Sequence, residues 1–174
     1  YKLTRAMAPG DSIALDFVLD YKPLSYYWKV SSPVIGNGTF LNNSIFPSIG
    51  YNPDGELSMN TARKEYGLPP KPRMAPVFDS AGLMNTYISR DADWIRFSAT
   101  LSTKEGQIAI APGYLQKEWK KDGRHYFAYK MDSPILNFYS FLSAAHQVRR
   151  DKWKNVNIEI YYQKGHEFNL DRMV

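Results

Sequence analysis

Apolar and polar residues alternate at four places along the chain. In SIALDFVLDY (12–21), Ile13, Leu15, Phe17 and Leu19 alternate with Ser12, Ala14, Asp16, Val18 and Asp20. WIRFSATL (94–101) sets Ile95, Phe97, Ala99 and Leu101 against Trp94, Arg96, Ser98 and Thr100. RHYFAYKM (124–131) places His125, Phe127, Tyr129 and Met131 on one side, and VNIEIYYQ (156–163) does the same with Val156, Ile158, Ile160 and Tyr162. Successive side chains of a strand point to opposite faces, so a period of two predicts four strands, each with one buried face. Shorter apolar pieces, GTFL (38–41) and QIAIA (107–111), read as further strands bounded by Gly and Pro.

ILNFYSFLSAAHQV (135–148) fits either period, and Pro134 ahead of it favours strand, with RRDKWKN (149–155) as the turn into the next strand. Helix signals are few. Asn60 is a candidate N-cap for TARKEY with Gly67 as the stop after it, and a terminal helix begins near Asn169. From about 42 to 93 the chain is rich in Pro and Gly and supports neither a long helix nor a central strand, so an irregular excursion is expected there. The pattern predicts an all-β fold, a β-sandwich with a long irregular excursion and few short helices, folded as a single domain over 1–174.

Composition agrees with one domain. The 174 residues are 44% hydrophobic and 22% charged, and 13 Tyr, 9 Phe and 4 Trp enrich the segments that read as strands. With no cysteine, disulfides, cysteine–zinc sites and thiol nucleophiles are excluded. The formal charge is +5, but the basic residues are scattered (Lys2, Arg5, Lys22, Lys29, Arg63, Lys64), with small clusters at 117–121 and 149–154. Neither a dense basic stripe nor a known module is visible, so a solvated basic face and no nucleic-acid partner are expected. No apolar run reaches the ~20 residues that span a bilayer.

Candidate chemistry is sparse. His166-Glu167 begins like HExxH, yet position 170 is Leu170, and two imidazoles must stand at i and i+4 to grip one metal. His125, His146 and His166 are far apart in sequence. His125 is expected in or near the core, the other two at the surface. FPSIG places Ser48 and Gly50 like a nucleophile elbow, but Pro47 and the lack of a following helix favour a turn. IGNGTF reads as a turn in which Asn37-Gly38 joins two strands, and Asn37 and Asn42 each open a formal glycosylation sequon. Asp54, Glu56, Asp79, Asp91 and Asp93 are carboxylates with no pairing visible in sequence, and no catalytic, cofactor-binding or metal-binding residue is expected.

Several segments together carry a family resemblance: NGTFLNNSIFPSIGYNP, RKEYGLPPKPRM, YISRDADWIRFSATLST, QIAIAPGYLQKEW and the run from Met131 to Met173. They resemble the region that precedes the catalytic domain in aminopeptidase N-like gluzincins. They are more similar still to bacterial membrane proteins in which ABC-transporter permease-like helices are followed by an extracytoplasmic aminopeptidase-like region.

The resemblance implies an accessory β-sandwich that packs on a zinc-bearing catalytic domain of the same chain and shapes its substrate cleft. Residues 165–174 would start the connection to that domain, with HExxH beyond Val174. It also implies a membrane-anchored bacterial parent with permease helices, an extracytoplasmic location, a peptide substrate and zinc in the catalytic domain, with no cofactor and no catalysis in these 174 residues. An acidic or amide side chain shortly before FP reaches the substrate amine in such relatives, which makes Asn42 and Asn43 the possible cleft residues. The family's Gly-x-Met-Glu-Asn motif has no match, since Gly82-Leu83-Met84-Asn85 lacks the glutamate. The alternatives are a carbohydrate- or protein-binding sandwich with Tyr51, Tyr66, Tyr114 and Trp119 as its platform, and a transporter scaffold.

Overall fold

The computed structural model describes residues 3, 5–21, 33–35, 38–47, 55–71, 75–84 and 93–173. Strands dominate, and every pairing among them is antiparallel. In chain order they are β1 (Val34–Ile35), β2 (Gly38–Asn42), β3 (Trp94–Ile95), β4 (Ser98–Lys104), β5 (Ile108–Ile110), β6 (Tyr114–Lys121), β7 (Arg124–Lys130), β8 (Ile135–Leu136), β9 (Ser140–Ala144), β10 (Gln147–Trp153) and β11 (Val156–Tyr162). The helices α1 (Asn60–Glu65) and α2 (Leu170–Met173) and a few 3-10 turns complete the described residues, and the fold class is all-β.

Among the described residues four sheets form: β1-β2-β9-β5, β4-β7-β6, the hairpin β10-β11 and the short pair β3-β8. The core lies between residues of β4, β5, β7 and β9. Phe97, Ala109, Ala111, Phe127 and Tyr129 are buried together, and Ile95, Ala99, Leu101, Ile135, Tyr139 and Phe141 pack around them. The small residues Ala109 and Ala111 let the rings of Phe127 and Tyr129 fill the space facing them, as close packing requires. Tyr129 cannot leave its hydroxyl unpaired there, and it donates to the Ala109 carbonyl at 2.9 Å, tying β7 to β5. Burial raises the Tyr129 pKa, and the negative charges of Glu159 and Glu118 push the same way, so the hydroxyl stays a donor. Thr103, also buried, donates to Gln107 Oε1 at 2.6 Å and lies 3.4 Å from Ser143 Oγ on β9.

Three of the four alternating segments form strands on the expected faces. Phe127 and Tyr129 are buried with His125 and Met131 partly so; Phe97 is buried with Ile95, Ala99 and Leu101 partly so; Ile158, Ile160 and Tyr162 are half-buried, while Val156 at the start of its strand is exposed, contrary to expectation. The 94–101 segment breaks in two at Arg96-Phe97, where the Phe97 carbonyl accepts from the Met131 amide at 3.1 Å and not from a continuing ladder.

The fourth segment departs from expectation. Residues 11–21 belong to no sheet among the described residues, and Ile13, Leu15, Phe17 and Leu19 are all exposed. Period two describes a residue's preference for one face, and a strand also needs a neighbour for its amides, which the described residues do not supply here.

Turn chemistry decides several boundaries. β6 and β7 join through Asp122 (φ 51°) and Gly123 (φ 70°), the two positive φ values of the hairpin turn that Asp-Gly favours. The β10-β11 turn falls at Lys154 (φ 55°), so RRDKW is strand where a turn was expected. Asn60 is the first residue of α1 and not its cap. Its Oδ1 instead accepts from the Lys71 amide at 2.9 Å, and Gly67 (φ 66°) takes the left-handed stop. The terminal helix begins at Leu170 after a 3-10 turn at Glu167–Asn169. Between β2 and β3 the described residues hold no strand, as the Pro- and Gly-rich sequence implied.

Tyr129→Phe keeps the ring and leaves the Ala109 carbonyl without its donor. We expect a loss of about 1–3 kcal/mol of stability, the cost of an unsatisfied buried polar group, read from urea unfolding. A variant as stable as the parent would remove this bond from its bridging role.

Candidate functional site

The turn that follows β2 carries both candidate cleft residues, Asn42 and Asn43. Asn42 caps the 3-10 turn Asn43–Ile45: its Oδ1 accepts from the Ser44 amide at 3.1 Å and also from the Ser44 hydroxyl. Asn43 faces the other way. Its Nδ2 donates to the Asn137 carbonyl at 2.6 Å and lies 3.4 Å from Asn137 Oδ1, while its own amide donates to the Tyr139 carbonyl at 3.0 Å. The loop between β8 and β9 is thereby fastened to the end of β2. Both amide groups hold the turn, and they bring Phe46 onto an aromatic wall.

That wall is built from three parts of the chain. Phe46 lies 6.3 Å from Tyr139, 6.0 Å from Phe141 and 5.9 Å from Phe17, centroid to centroid. Tyr139 in turn stands 4.8 Å from Phe97 in the core. These spacings are those of favourable aromatic pairs, so the Phe17 ring helps anchor the 11–21 segment while Val18 and its other apolar neighbours are exposed. Burial raises the Tyr139 pKa, which keeps its hydroxyl neutral.

A second polar group gathers on the β10-β11 hairpin, within electrostatic reach of Glu118 on β6 and Tyr129 on β7. Glu159 accepts from Arg150 Nε at 2.8 Å and from the Tyr161 hydroxyl at 2.6 Å. These hydrogen bonds, that of Tyr161 first and that of Arg150 second, hold the Glu159 carboxyl below the usual carboxylate range. Burial, then the bond to Glu159, drives the Tyr161 pKa up. Glu118 of β6 meets His125 Nε2 at 2.7 Å, and His125 packs 4.2 Å from the Phe127 ring. Glu159 and Tyr161 alternate along one strand, but the partner Arg150 comes from across the hairpin, which only the β10-β11 register supplies.

The histidines stay apart. His125 is half-buried as expected, and His166 is exposed before the final 3-10 turn. His146 departs from its expected surface position: it sits in the turn between β9 and β10, its ring edge-on to Tyr161 at 6.0 Å, and its Nδ1 is buried with no hydrogen-bond partner among the described residues. Burial lowers its pKa. Among the described residues no three His, Asp or Glu side chains converge as metal ligands. Of the aromatic platform, Tyr66 follows α1 and Tyr114 opens β6, while Trp119 is stacked on Tyr126 at 5.1 Å. Gly82–Met84 form a 3-10 turn. Asn37, Ser48, Gly50, Tyr51, Asp54, Asn85 and Asp91 lie outside the described residues.

Asn43→Ala removes the fastening between the two loops, and we expect a loss of about 1–2 kcal/mol, since the Asn137 carbonyl keeps access to solvent more easily than a core group would. Hydrogen exchange should quicken at Ser44–Phe46 and at Asn137–Tyr139; an unchanged pattern would count against the fastening. His146 gives a pH signature. Its folded pKa lies below 6.5, so below about pH 6.5 the unfolded chain binds a proton that the folded chain resists, and stability falls with pH. His146→Phe should lose that component, seen as a smaller gap between unfolding midpoints at pH 7.5 and 5.5, with stability at pH 7.5 equal to or above that of the parent.

No protein-family model, no curated protein and no solved structure matches this chain.

Proposed function

We propose that the chain is a non-catalytic accessory domain, a β-sandwich that packs against a zinc aminopeptidase-like catalytic domain of the same protein and forms one wall of its substrate cleft. The observation that carries the reading is the amount of apolar surface left uncovered in two segments. Val18 is 99% exposed, with Ile13, Leu15 and Leu19 beside it, and in the excursion Val77 is 83% and Phe78 86% exposed. Single exposed apolar residues are ordinary, but a run of them on a segment that joins no sheet among the described residues marks a surface that another folded body covers.

The family resemblance of the sequence supplies the identity of that body. In this reading zinc and the attacking water belong to the catalytic domain, since metal-assisted hydrolysis requires an open metal site. The Asn42–Phe46 turn, held rigidly by its two asparagines, stands at the cleft wall. The parent is a membrane-anchored bacterial protein with permease helices, this region is extracytoplasmic, and a peptide is the substrate.

The test pairs this 174-residue chain with the longest natural protein that contains it, measuring bound zinc by elemental analysis and release of amino acid from aminoacyl reporters. Zinc and release are expected in the longer protein alone. Stoichiometric zinc in the 174-residue chain, or neither property in either protein, would overturn the reading.

A further inference from the structure

Among the described residues, the strands of the β4-β7-β6 sheet place five cations and no carboxylate on its outer face. Register settles which side chains share it. Lys104 of β4, Arg124 of β7 and Lys121 of β6 are directly opposite one another, forming one row across three strands. Two residues along β7, Tyr126 stands opposite Trp119, and Lys117 and Lys130 occupy the next two rows on the same side. The bulge between Leu115 and Lys117 keeps the side chains of β6 in step with this face. Glu118 alternates to the opposite side, where it meets His125. All five cations are exposed.

Three like charges in one cross-strand row repel and weaken the sheet that holds them. Arg124 is partly accommodated by Ser102, whose hydroxyl and carbonyl accept from it at 3.0 and 2.7 Å. With strands about 4.8 Å apart and alternate residues about 7 Å apart, the cations spread over roughly 10 by 20 Å. Register spreads them over several rows and three strands of one sheet face, and not along a single line. The indole of Trp119 is stacked on Tyr126 with rings 11° apart, and the Lys117 ammonium stands 5.2 Å from its centroid. That occupied ring is a poor platform for a nucleic-acid base or a sugar, each of which needs an open aromatic face. Tyr114, exposed at the end of the face, and Trp119 are instead the amphipathic rings that favour a membrane–water interface.

We infer that this face docks on a bilayer surface that carries anionic phospholipids. The inference stands on the like charges that the register gathers on one sheet face and is independent of the accessory-domain reading. Each cation near an anionic bilayer contributes about a fivefold gain in binding, attenuated by salt over a Debye length.

The test is flotation of the 174-residue chain with phosphatidylcholine vesicles, with and without phosphatidylglycerol. Binding is expected only to the anionic vesicles, and 500 mM salt should release it. Lys117→Gln with Lys121→Gln should weaken it on the order of 30-fold, two cations at about fivefold each. Lys152→Gln with Lys154→Gln, which removes the same charge from the β10-β11 hairpin, should weaken it less than about threefold, since a remote charge acts only through the screened net field. Circular dichroism of each variant confirms the fold, and the salt dependence of the unaltered chain is a readout that needs no variant. Absence of binding to anionic vesicles, equal losses in the two double variants, or tighter binding to heparin or a single-stranded oligonucleotide than to vesicles would each overturn the inference.

Discussion

The hydroxyl of Tyr129, donating to the Ala109 carbonyl, joins the two largest sheets at the centre of the buried cluster. A ring that size fills the core only because Ala109 and Ala111 face it, and its polar end is tolerable there only because a backbone acceptor lies within reach. The position of β5 against β7 follows from that pairing, and β5 in turn sets β9 through the Ala109–Ser143 register. β9 then carries β2, and with β2 comes the asparagine turn. Close approach matters on both sides of this chain of contacts. A Cβ on Gly38 would lie 2.7 Å from the Ser143 carbonyl, and one on Gly113 would lie 2.6 Å from the Lys130 carbonyl, so neither position accepts a larger residue without a shift of backbone.

The two surfaces with functional readings differ in what holds them open. Among the described residues, the 13–21 segment contributes the Phe17 ring to the aromatic wall and no strand to a sheet, and its apolar side chains are exposed. The basic face is the outer side of strands whose inner side carries Thr103, Phe127 and Tyr129 into the core. In the first, a covering body would relieve exposed hydrocarbon; in the second, a counter-charged surface would relieve repulsion within a rigid frame. The two needs are physically distinct, and one molecule meets both only if its accessory and surface-docking roles use separate faces.

The carboxylate–tyrosine–arginine group at Glu159 links the hairpin to neither surface directly. Its bonds run within β10 and β11, and only its charge reaches Tyr129. The geometry therefore describes a polar brace on a two-stranded ribbon, which needs such cross-strand contacts because a lone hairpin is marginal by itself.

Local alternation in the sequence determined which face of β4, β7 and β11 turns inward, because side-chain direction has a period of two whatever the partner strand. The Pro- and Gly-rich stretch likewise determined that strands do not run through the described part of 43–92, since those residues cannot supply a ladder. Partner choice was not legible: nothing in SIALDFVLDY separates a strand from a segment that joins no sheet among the described residues, because pairing is a property of two distant pieces of chain. For the same reason Asn42 and Asn43 could be singled out, but their bonds to Ser44 and Asn137 could not. The basic row was half visible, in the spacing of Lys117, Trp119 and Lys121 before the Asp122-Gly123 turn, and that turn implied a hairpin. Only the three-strand register, which sets Lys104 opposite Arg124 from twenty residues away, turned scattered cations into one face.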